Sequence, residues 1–555
     1  MNGENGRFRR AGSLAALALL AAVPALALPG GVPELFATAD ACASCHDQLV
    51  TPEGEDISIA ASWRGSMMAN SARDPYWQAA VRREVLDHPE SAAAIENECA
   101  ACHMPMTTTQ ARAAGGQGSV FDHLPATTAP GGPGALAADG VSCTVCHQIT
   151  AEGLGTKESF TGGFVVDTTR PAGEREIFGP FEVDAGRARI MSSASGYEPR
   201  KAEHLASSEL CATCHTLYTH SLGPGGEVIG ELPEQVPYLE WRESDYARAG
   251  RECIDCHMPE VAGEVPVTGV LGQPRPAVSR HVFRGGNVLV PRMLNRFAGE
   301  LGVTAAPEEL DATLRRTREF LETSTARLRL ERLERTGDRL EVEIAVENLA
   351  GHKLPTAYPS RRAWLHVSVR DAGGRVVFES GALEPSGAIR GNDNDRDPAR
   401  YEPHYQVIER PDQVQIYEPI LVDPDERVTT GLLTAVGYGK DNRLLPRGFD
   451  PATAPEDVAV QGRAAEDGDF AGGGDRVRYV VDLAGAPEPA AEPLRGPLTV
   501  EAELWYQPIG YRWARNLEPY DAPETRRFVR YFDEMSSVSG VVLARVRAST
   551  GDGGP

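Results

Sequence analysis

The chain has 555 residues, 41% of them hydrophobic, which exceeds the span one hydrophobic core fills and places it among multidomain globular proteins. Its 55 Lys and Arg stand against 79 Asp and Glu, a formal charge of −24 that repels phosphate backbones and excludes nucleic acid as a partner. Beyond the first 30 positions no stretch is apolar for long enough to span a bilayer, so no integral membrane span is expected in the mature chain.

At the N-terminus Arg7, Arg9 and Arg10 precede an apolar run from Ala15 to Leu28, with Ala25-Leu26-Ala27 as a small-x-small cleavage site. Residues 1–27 therefore read as a secretory signal peptide, and the mature protein as periplasmic or extracellular. Export permits disulfides, and ten cysteines would ordinarily be read as five of them. Their spacing says otherwise. All ten fall in CxxCH pentapeptides: Cys42, Cys45 and His46; Cys99, Cys102 and His103; Cys143, Cys146 and His147; Cys211, Cys214 and His215; Cys253, Cys256 and His257.

CxxCH is the attachment pattern of c-type haem. Two thiols three positions apart can add to the two vinyl groups on one porphyrin edge, and the next residue brings an imidazole to the iron. Zinc is the competing reading, since two cysteines and one histidine are three of four tetrahedral ligands, but adjacent Cys and His in one turn are poorly disposed to share a metal. A thioredoxin-like CxxC needs no trailing histidine. The sequence thus predicts five covalent haems c, with His46, His103, His147, His215 and His257 as proximal ligands. The first cysteines are 57, 44, 68 and 42 residues apart, so little polypeptide surrounds each haem and the porphyrins must supply much of the buried apolar surface.

The partner on the far side of each iron separates an electron carrier from a catalyst. The distal candidates are Met68, His123, His204, His220, His281 and His352. His204 lies seven residues before Cys211, His281 opens the segment His281-Val282-Phe283-Arg284, and His352 sits in the turn Gly351-His352-Lys353-Leu354-Pro355-Thr356. His366, in an alternating run, reads as a strand histidine, and His88 and His404 fall in polar loops.

The chain resembles the multihaem c-type cytochromes of the cytochrome c-554 and hydroxylamine-oxidoreductase-like group. In that group the first CxxCH is followed by Trp-x-x-Ser-x-His-Ala, whose histidine supplies a distal ligand. Here the stretch is Trp63-Arg64-Gly65-Ser66-Met67-Met68-Ala69, with Met68 in place of the histidine. Methionine is also an axial ligand and raises the reduction potential. Cys102-His103-Met104-Pro105 and Cys256-His257-Met258-Pro259 carry the CxxCHMP form common in the group. The GHKLPT-like turn at 351–356 resembles the start of the β-rich C-terminal region of exported multihaem proteins. The resemblance implies either electron carriers or enzymes acting on nitrogen or sulfur oxyanions, and does not choose between them.

After a Gly- and Pro-rich loop over 261–279, apolar residues at helical spacing (Leu310, Leu314, Leu321) predict an amphipathic helix ending near Ser324. The period then becomes two. A hairpin around Thr336-Gly337-Asp338 is followed by strands at 364–369, 376–378, 414–417, 477–481, 498–506 and 541–546, a pattern expected of a β-sandwich of immunoglobulin-like architecture. The expected class is α+β and multidomain: signal peptide 1–27, an α-helical and loop-rich pentahaem domain 28–300, a connecting helix 301–326, the sandwich 327–548, and a tail 549–555.

Asp393-Asn394-Asp395-Arg396-Asp397, and Glu466, Asp467 and Asp469 beside a glycine run, suggest calcium at a weaker level, lacking the EF-hand glycine and glutamate. No nucleotide loop or nucleophile elbow accompanies these features. The favoured function is an exported pentahaem cytochrome passing electrons between redox partner proteins. The alternatives are a multihaem oxidoreductase acting on small nitrogen or sulfur compounds at one open haem, and a docking or filament-forming extracellular component.

Overall fold

The computed structural model describes residues 32–126, 133–484 and 496–551. The expected signal peptide lies outside the described residues, as do most of the Ala- and Pro-rich connection near 485–495 and the last four residues of the tail.

The first half is short helices and loops. Its principal helices are α1 (Asp40–His46), α2 (Pro75–Asp87), α3 (Ala92–His103), α4 (Cys143–Cys146), α5 (Ala185–Ser195), α6 (Ser208–His215), α7 (Pro237–Arg242) and α8 (Cys253–His257). α2 begins where Asp74 caps the backbone N–H groups of Tyr76 and Trp77 and Pro75 fills the first turn, the usual way to satisfy orphan donors. Apolar side chains here form separate small groups bordering the motifs rather than one core. Val81, Ile95, Ala100, Met104 and Val120 pack beside Cys99, while Leu35, Phe36, Met106, Val145 and Ile149 pack beside Cys146.

A two-stranded hairpin, Leu217–Leu222 with Val228–Gln235, interrupts this half. The loop-rich reading does not contain it, because Gly223, Pro224, Gly225 and Gly226 in its turn read as plain loop.

Helix α9 (Pro307–Ser324) leads into the strand-rich half. Its cap is closed by the Glu309 carboxylate, which accepts from the Ala306 N–H, and Leu310 and Leu321 are buried. Its Glu- and Arg-rich remainder is largely exposed, as an amphipathic helix requires. Two sheets follow, antiparallel except where the short edge strand Val407–Ile408 pairs in parallel. One is built on β1 (Ala326–Thr336), β2 (Arg339–Asn348) and β5 (Gly474–Asp482), with Val407–Ile408 at its edge; the other on β3 (Arg362–Arg370), β4 (Val376–Ser380), β6 (Thr499–Gln507) and β7 (Val541–Ser549), in the order β4-β3-β6-β7. The β1–β2 turn holds Gly337 at φ 61°, a left-handed position that glycine adopts without a Cβ clash.

Leu340, Val342, Ile344, Tyr479 and Val481 of the first sheet meet Leu365, Val367, Val500, Ala502 and Leu504 of the second in one continuous core. This is the sandwich that the alternation predicts, each strand sending every second side chain inward. An added helix, α10 (Pro523–Met535), leaves the sandwich and packs Phe528, Tyr531 and Phe532 against Tyr76, Met293 and Leu294 of the helical half.

Candidate functional site

Each pentapeptide occupies the end of a helix: α1, α3, α6 and α8 finish on the motif histidine, and His147 follows α4 directly. Helical spacing puts residues three apart on one face, so both thiols of a motif point the same way. The cysteines are all free and half-buried, and burial pushes the Cys146 thiol up to about 12.

The histidine tautomers follow from their partners. A carbonyl only accepts, so the ring nitrogen facing it must carry the proton. Nδ1 of His46 donates to the Val267 carbonyl at 2.6 Å, His103 to Ser71 at 3.2 Å, His147 to Phe178 at 2.6 Å and His257 to Arg284 at 2.6 Å. Nε2 is left as a lone-pair donor in all four. Such outer hydrogen bonds orient and strengthen a metal-binding imidazole. Burial pushes His103 and His257 down to about 4, so both are neutral at physiological pH. His103 also stacks on the Trp77 indole, ring centres 4.3 Å apart and planes within 2°.

Two distal candidates face motif histidines. The ring centres of His147 and His281 lie 6.3 Å apart with planes 15° apart, and those of His257 and His352 lie 6.3 Å apart with planes 14° apart. With about 2.0 Å from each imidazole nitrogen to a transition metal, and about 1.1 Å from nitrogen to ring centre, two imidazoles on opposite sides of one ion have centres about 6.2 Å apart, close to both separations. His281 and His352 likewise donate Nδ1–H to backbone carbonyls, of Ser279 at 3.1 Å and Lys353 at 2.8 Å. Their Nε2 atoms are therefore free to bind metal.

The other four candidates are placed differently. Met68 packs near Cys143 and Cys146, beside the motif whose histidine already faces His281. His204 donates from Nε2 to the Ile149 carbonyl at 2.8 Å, which leaves Nδ1 as its lone-pair nitrogen. His123 is half-buried in a single helical turn at 121–123. His220 is exposed, 3.6 Å from the Glu98 carboxylate. His215 makes no ring hydrogen bond among the described residues; burial, with the Arg361 guanidinium adding to it, lowers its basicity.

The motifs also lie near one another. The thiols of Cys42 and Cys143, of Cys102 and Cys214, and of Cys211 and Cys253 perturb each other's acidity, one member of each pair lowered and the other raised. The charge of Cys214 adds to burial in raising Cys146. In space the first motif adjoins the third, and the fourth adjoins the second, third and fifth.

His352 is held by a buried ionic cluster joining the two halves. Glu240 on α7 accepts from Arg443 Nη1 at 2.8 Å and from the Lys353 backbone N–H at 3.1 Å, and Lys353 Nζ reaches Asp441 at 2.7 Å. Arg443 pairs with Asp441 as well, at 2.8 Å. Burial alone would raise the Asp441 carboxyl, but the Arg443 and Lys353 cations overcome it and hold the group well below the usual carboxylate range. No local sequence signal marks this cluster.

Among the described residues the one group of three or more metal-type ligand atoms within 4.8 Å of one another is His404, Asp467 and Asp475, not any CxxCH motif. The zinc reading of the motifs therefore lacks its geometry. The His404 group does not suit a metal either. Its Nδ1 accepts from Gln415 Nε2 at 2.9 Å and Asn442 Nδ2 at 3.1 Å. Both amides are fixed in orientation by backbone N–H groups bonded to their oxygens. Nε2 thus carries the proton and donates to Asp467 at 3.1 Å; metal at Nε2 would force a proton onto Nδ1, against two N–H donors. His404, expected in a polar loop, is instead a buried core histidine.

Most of the acidic side chains that suggest calcium have partners within the protein. Asp395 is buried in a bidentate pair with Arg362, Asp393 pairs with Arg400, and Asp397 caps the Ala399 N–H. Asp467 faces His404. These carboxylates are engaged within the protein. His366, read as a satisfied strand residue, lies between Glu379 and Glu503 on β3, and His88 is buried beside Thr434.

No family model and no curated protein matches the chain. Among solved structures it is similar to a penta-heme cytochrome c552 from Thermochromatium tepidum, at 16% identity and a TM-score of 0.47, over 93% of this chain and all of that one.

Proposed function

We propose that the chain is an exported pentahaem c-type cytochrome that passes electrons between partner proteins, with a haem-bearing segment at 28–300 joined by its connecting helix to the sandwich at 327–548. The supporting observation is the pair of facing imidazoles, His147 with His281 and His257 with His352, each beside two free thiols on one helix face. The donor set fits haem: two thiols to hold a porphyrin edge and a neutral imidazole with its outer nitrogen fixed by a carbonyl. Haem held so supplies one-electron chemistry. The chain's residues set its terms. Val267, Ser71, Phe178 and Arg284 hold the proximal rings through their carbonyls, and the Glu240 cluster holds His352.

Thioether sulfurs mark porphyrin edges, so thiols near enough to perturb one another bring edges near one another. On this reading electrons run from the first motif to the third and the fourth, where the way divides toward the second and the fifth.

Among the described residues no helix is long and apolar enough to cross a membrane, and export rests on the basic and apolar N-terminus. The test is mass and colour: acidified acetone should leave the haem on the polypeptide, and the intact mass should exceed that of the mature chain by five haems. Bare polypeptide would end the proposal.

A second reading, an oxidoreductase acting at one haem, draws on His215, whose charged neighbour is Arg361; a guanidinium suits a small oxyanion. Carbon monoxide or nitrite binding to the holoprotein with a high-spin signal from one haem would favour it, and five low-spin haems inert to both would exclude it.

A further inference from the structure

The loop that anchors the first motif also carries the most exposed large apolar side chain of the described residues. Val267 accepts from His46 at 2.6 Å and Gly269 N–H donates to the Cys45 carbonyl at 2.8 Å. The next two residues turn outward: Val270 is 46% exposed and Leu271 62%. Leu271 stands at φ 51°, a left-handed conformation costly for a branched side chain. The residue after it, Gly272, lies so close to the Thr268 carbonyl that a Cβ would clash with it. Arg187 of α5 donates to the Leu271 carbonyl at 2.9 Å, which brings Ile190, 42% exposed and one turn further on, to the same face. Val50, 56% exposed, follows Leu49, which packs with Val265 and Val267.

We propose that Val50, Ile190, Val270 and Leu271 form the face on which a small, basic, one-electron carrier protein docks, exchanging electrons with the haem of the first motif. The inference rests on the proposed function and adds the place and the partner's chemistry. Three observations select this occupant. The face is continuous with the proximal ligand of the motif that stands at one end of the order of neighbouring thiols, so an electron carrier gains most from it. The chain's charge of −24 attracts a cation-bearing partner from a distance, and the segments that carry or precede the patch expose Glu53, Glu182 and Glu264 against one exposed cation, Arg189, next to Ile190 and without a salt bridge among the described residues. A lasting dimer buries about 800 Å² per partner with some 20–30 residues a side, whereas four apolar side chains suit the brief encounters of redox proteins.

The test uses the reduced holoprotein and an oxidised, basic, single-haem cytochrome c as probe, mixed by stopped flow. Leu271→Lys and Ile190→Lys, which remove apolar contact and repel a basic partner, should each slow the second-order electron exchange at least tenfold. Ile190→Lys lies off the ligand-bearing loop and guards against a loss caused by moving His46. Val538→Lys, at another exposed apolar position, should stay within twofold of the unsubstituted chain, and all variants should keep five haems by pyridine haemochromogen. Exchange should also weaken as salt is added. The docking face is overturned if the two variants exchange within twofold of the parent, if Val538→Lys slows exchange equally, or if the parent sediments as a dimer that Leu271→Lys separates. A preparation without haemochromogen bands would instead overturn the function beneath it.

Discussion

On the proposed function, removing Glu240 should release a distal haem ligand, His352, that lies far from it in sequence. Its carboxylate is fully buried and is one of two anions facing the Arg443 and Lys353 cations, whose side chains are 6% and 0% exposed. In Glu240→Ala the Asp441 carboxylate faces both cations alone, and the Lys353 N–H loses its acceptor. Taking one partner from a buried ion pair costs about 3–5 kcal/mol, a large part of the roughly 5–15 kcal/mol that holds a typical domain together. The weakest connection nearby is the turn from Gly351 to Thr356 that carries His352, so the cost should appear as opening of that turn rather than as general unfolding. The expected result has two parts: a lower denaturant midpoint for the sandwich, and conversion of one haem in five from six-coordinate low-spin to high-spin iron, read by electron paramagnetic resonance. The double variant Glu240→Ala/Arg443→Met leaves Lys353 and Asp441 as a balanced pair and should recover more than half of the lost stability. A single variant that loses less than about 0.5 kcal/mol, against the several expected for a broken buried pair, and keeps every haem low-spin would refute the reasoning. So would a double variant no better than the single.

Asp74 caps α2 from a buried position, and burial raises its carboxyl to about 6. A raised acid favours folding at low pH: its contribution is complete below the unfolded value near 4 and is lost as pH climbs through 6. An asparagine side chain would keep the cap without the buried charge, so Asp74→Asn should match the parent at pH 4 and exceed it by up to about 3 kcal/mol at pH 8; denaturant midpoints at the two pH values decide, and a variant weaker at pH 8 defeats the argument. His281→Met should move one of five steps in a redox titration to higher potential, since a thioether replaces an imidazole facing His147. Five unmoved steps would mean that His281 binds no iron.

What the sequence disclosed depended on the range of each signal. The CxxCH motifs are legible because covalent attachment needs its groups within five consecutive residues, and the strands because Leu340, Val342, Ile344 and Val346 alternate within one segment. α10 has its own local signal, Phe528, Tyr531, Phe532 and Met535 at helical spacing, yet it falls among strands, and a reading that follows the period of two does not contain it. Distal ligands are a different matter. A histidine has no flanking pattern that says which iron it faces, so His281 and His220 read alike until the fold puts one 6.3 Å from His147 and the other beside Glu98. Glu240 and Arg443 are likewise ordinary charged residues in their own segments. Only the docking of α7 against the sandwich makes them a buried pair.

That docking bears on how electrons would divide. The fourth motif lies near the second, where Cys214 and Cys102 perturb each other's acidity, and near the fifth, where Cys211 and Cys253 do the same. The two branches differ in who completes them. The fifth motif faces His352, which comes from the far side of α9 and is held through the sandwich residues Asp441 and Arg443. The second motif also borders the sandwich half, where Leu433 packs into the apolar group beside Cys99, but its histidine is held from its own half, with Trp77 stacked on His103 and Ser71 holding Nδ1. On the proposed reading, loosening the sandwich would therefore alter the fifth haem's ligation while leaving the second intact, and Glu240→Ala should redirect reduction toward the second motif. The sandwich, which has no cysteine, would then act on electron flow through a single borrowed imidazole.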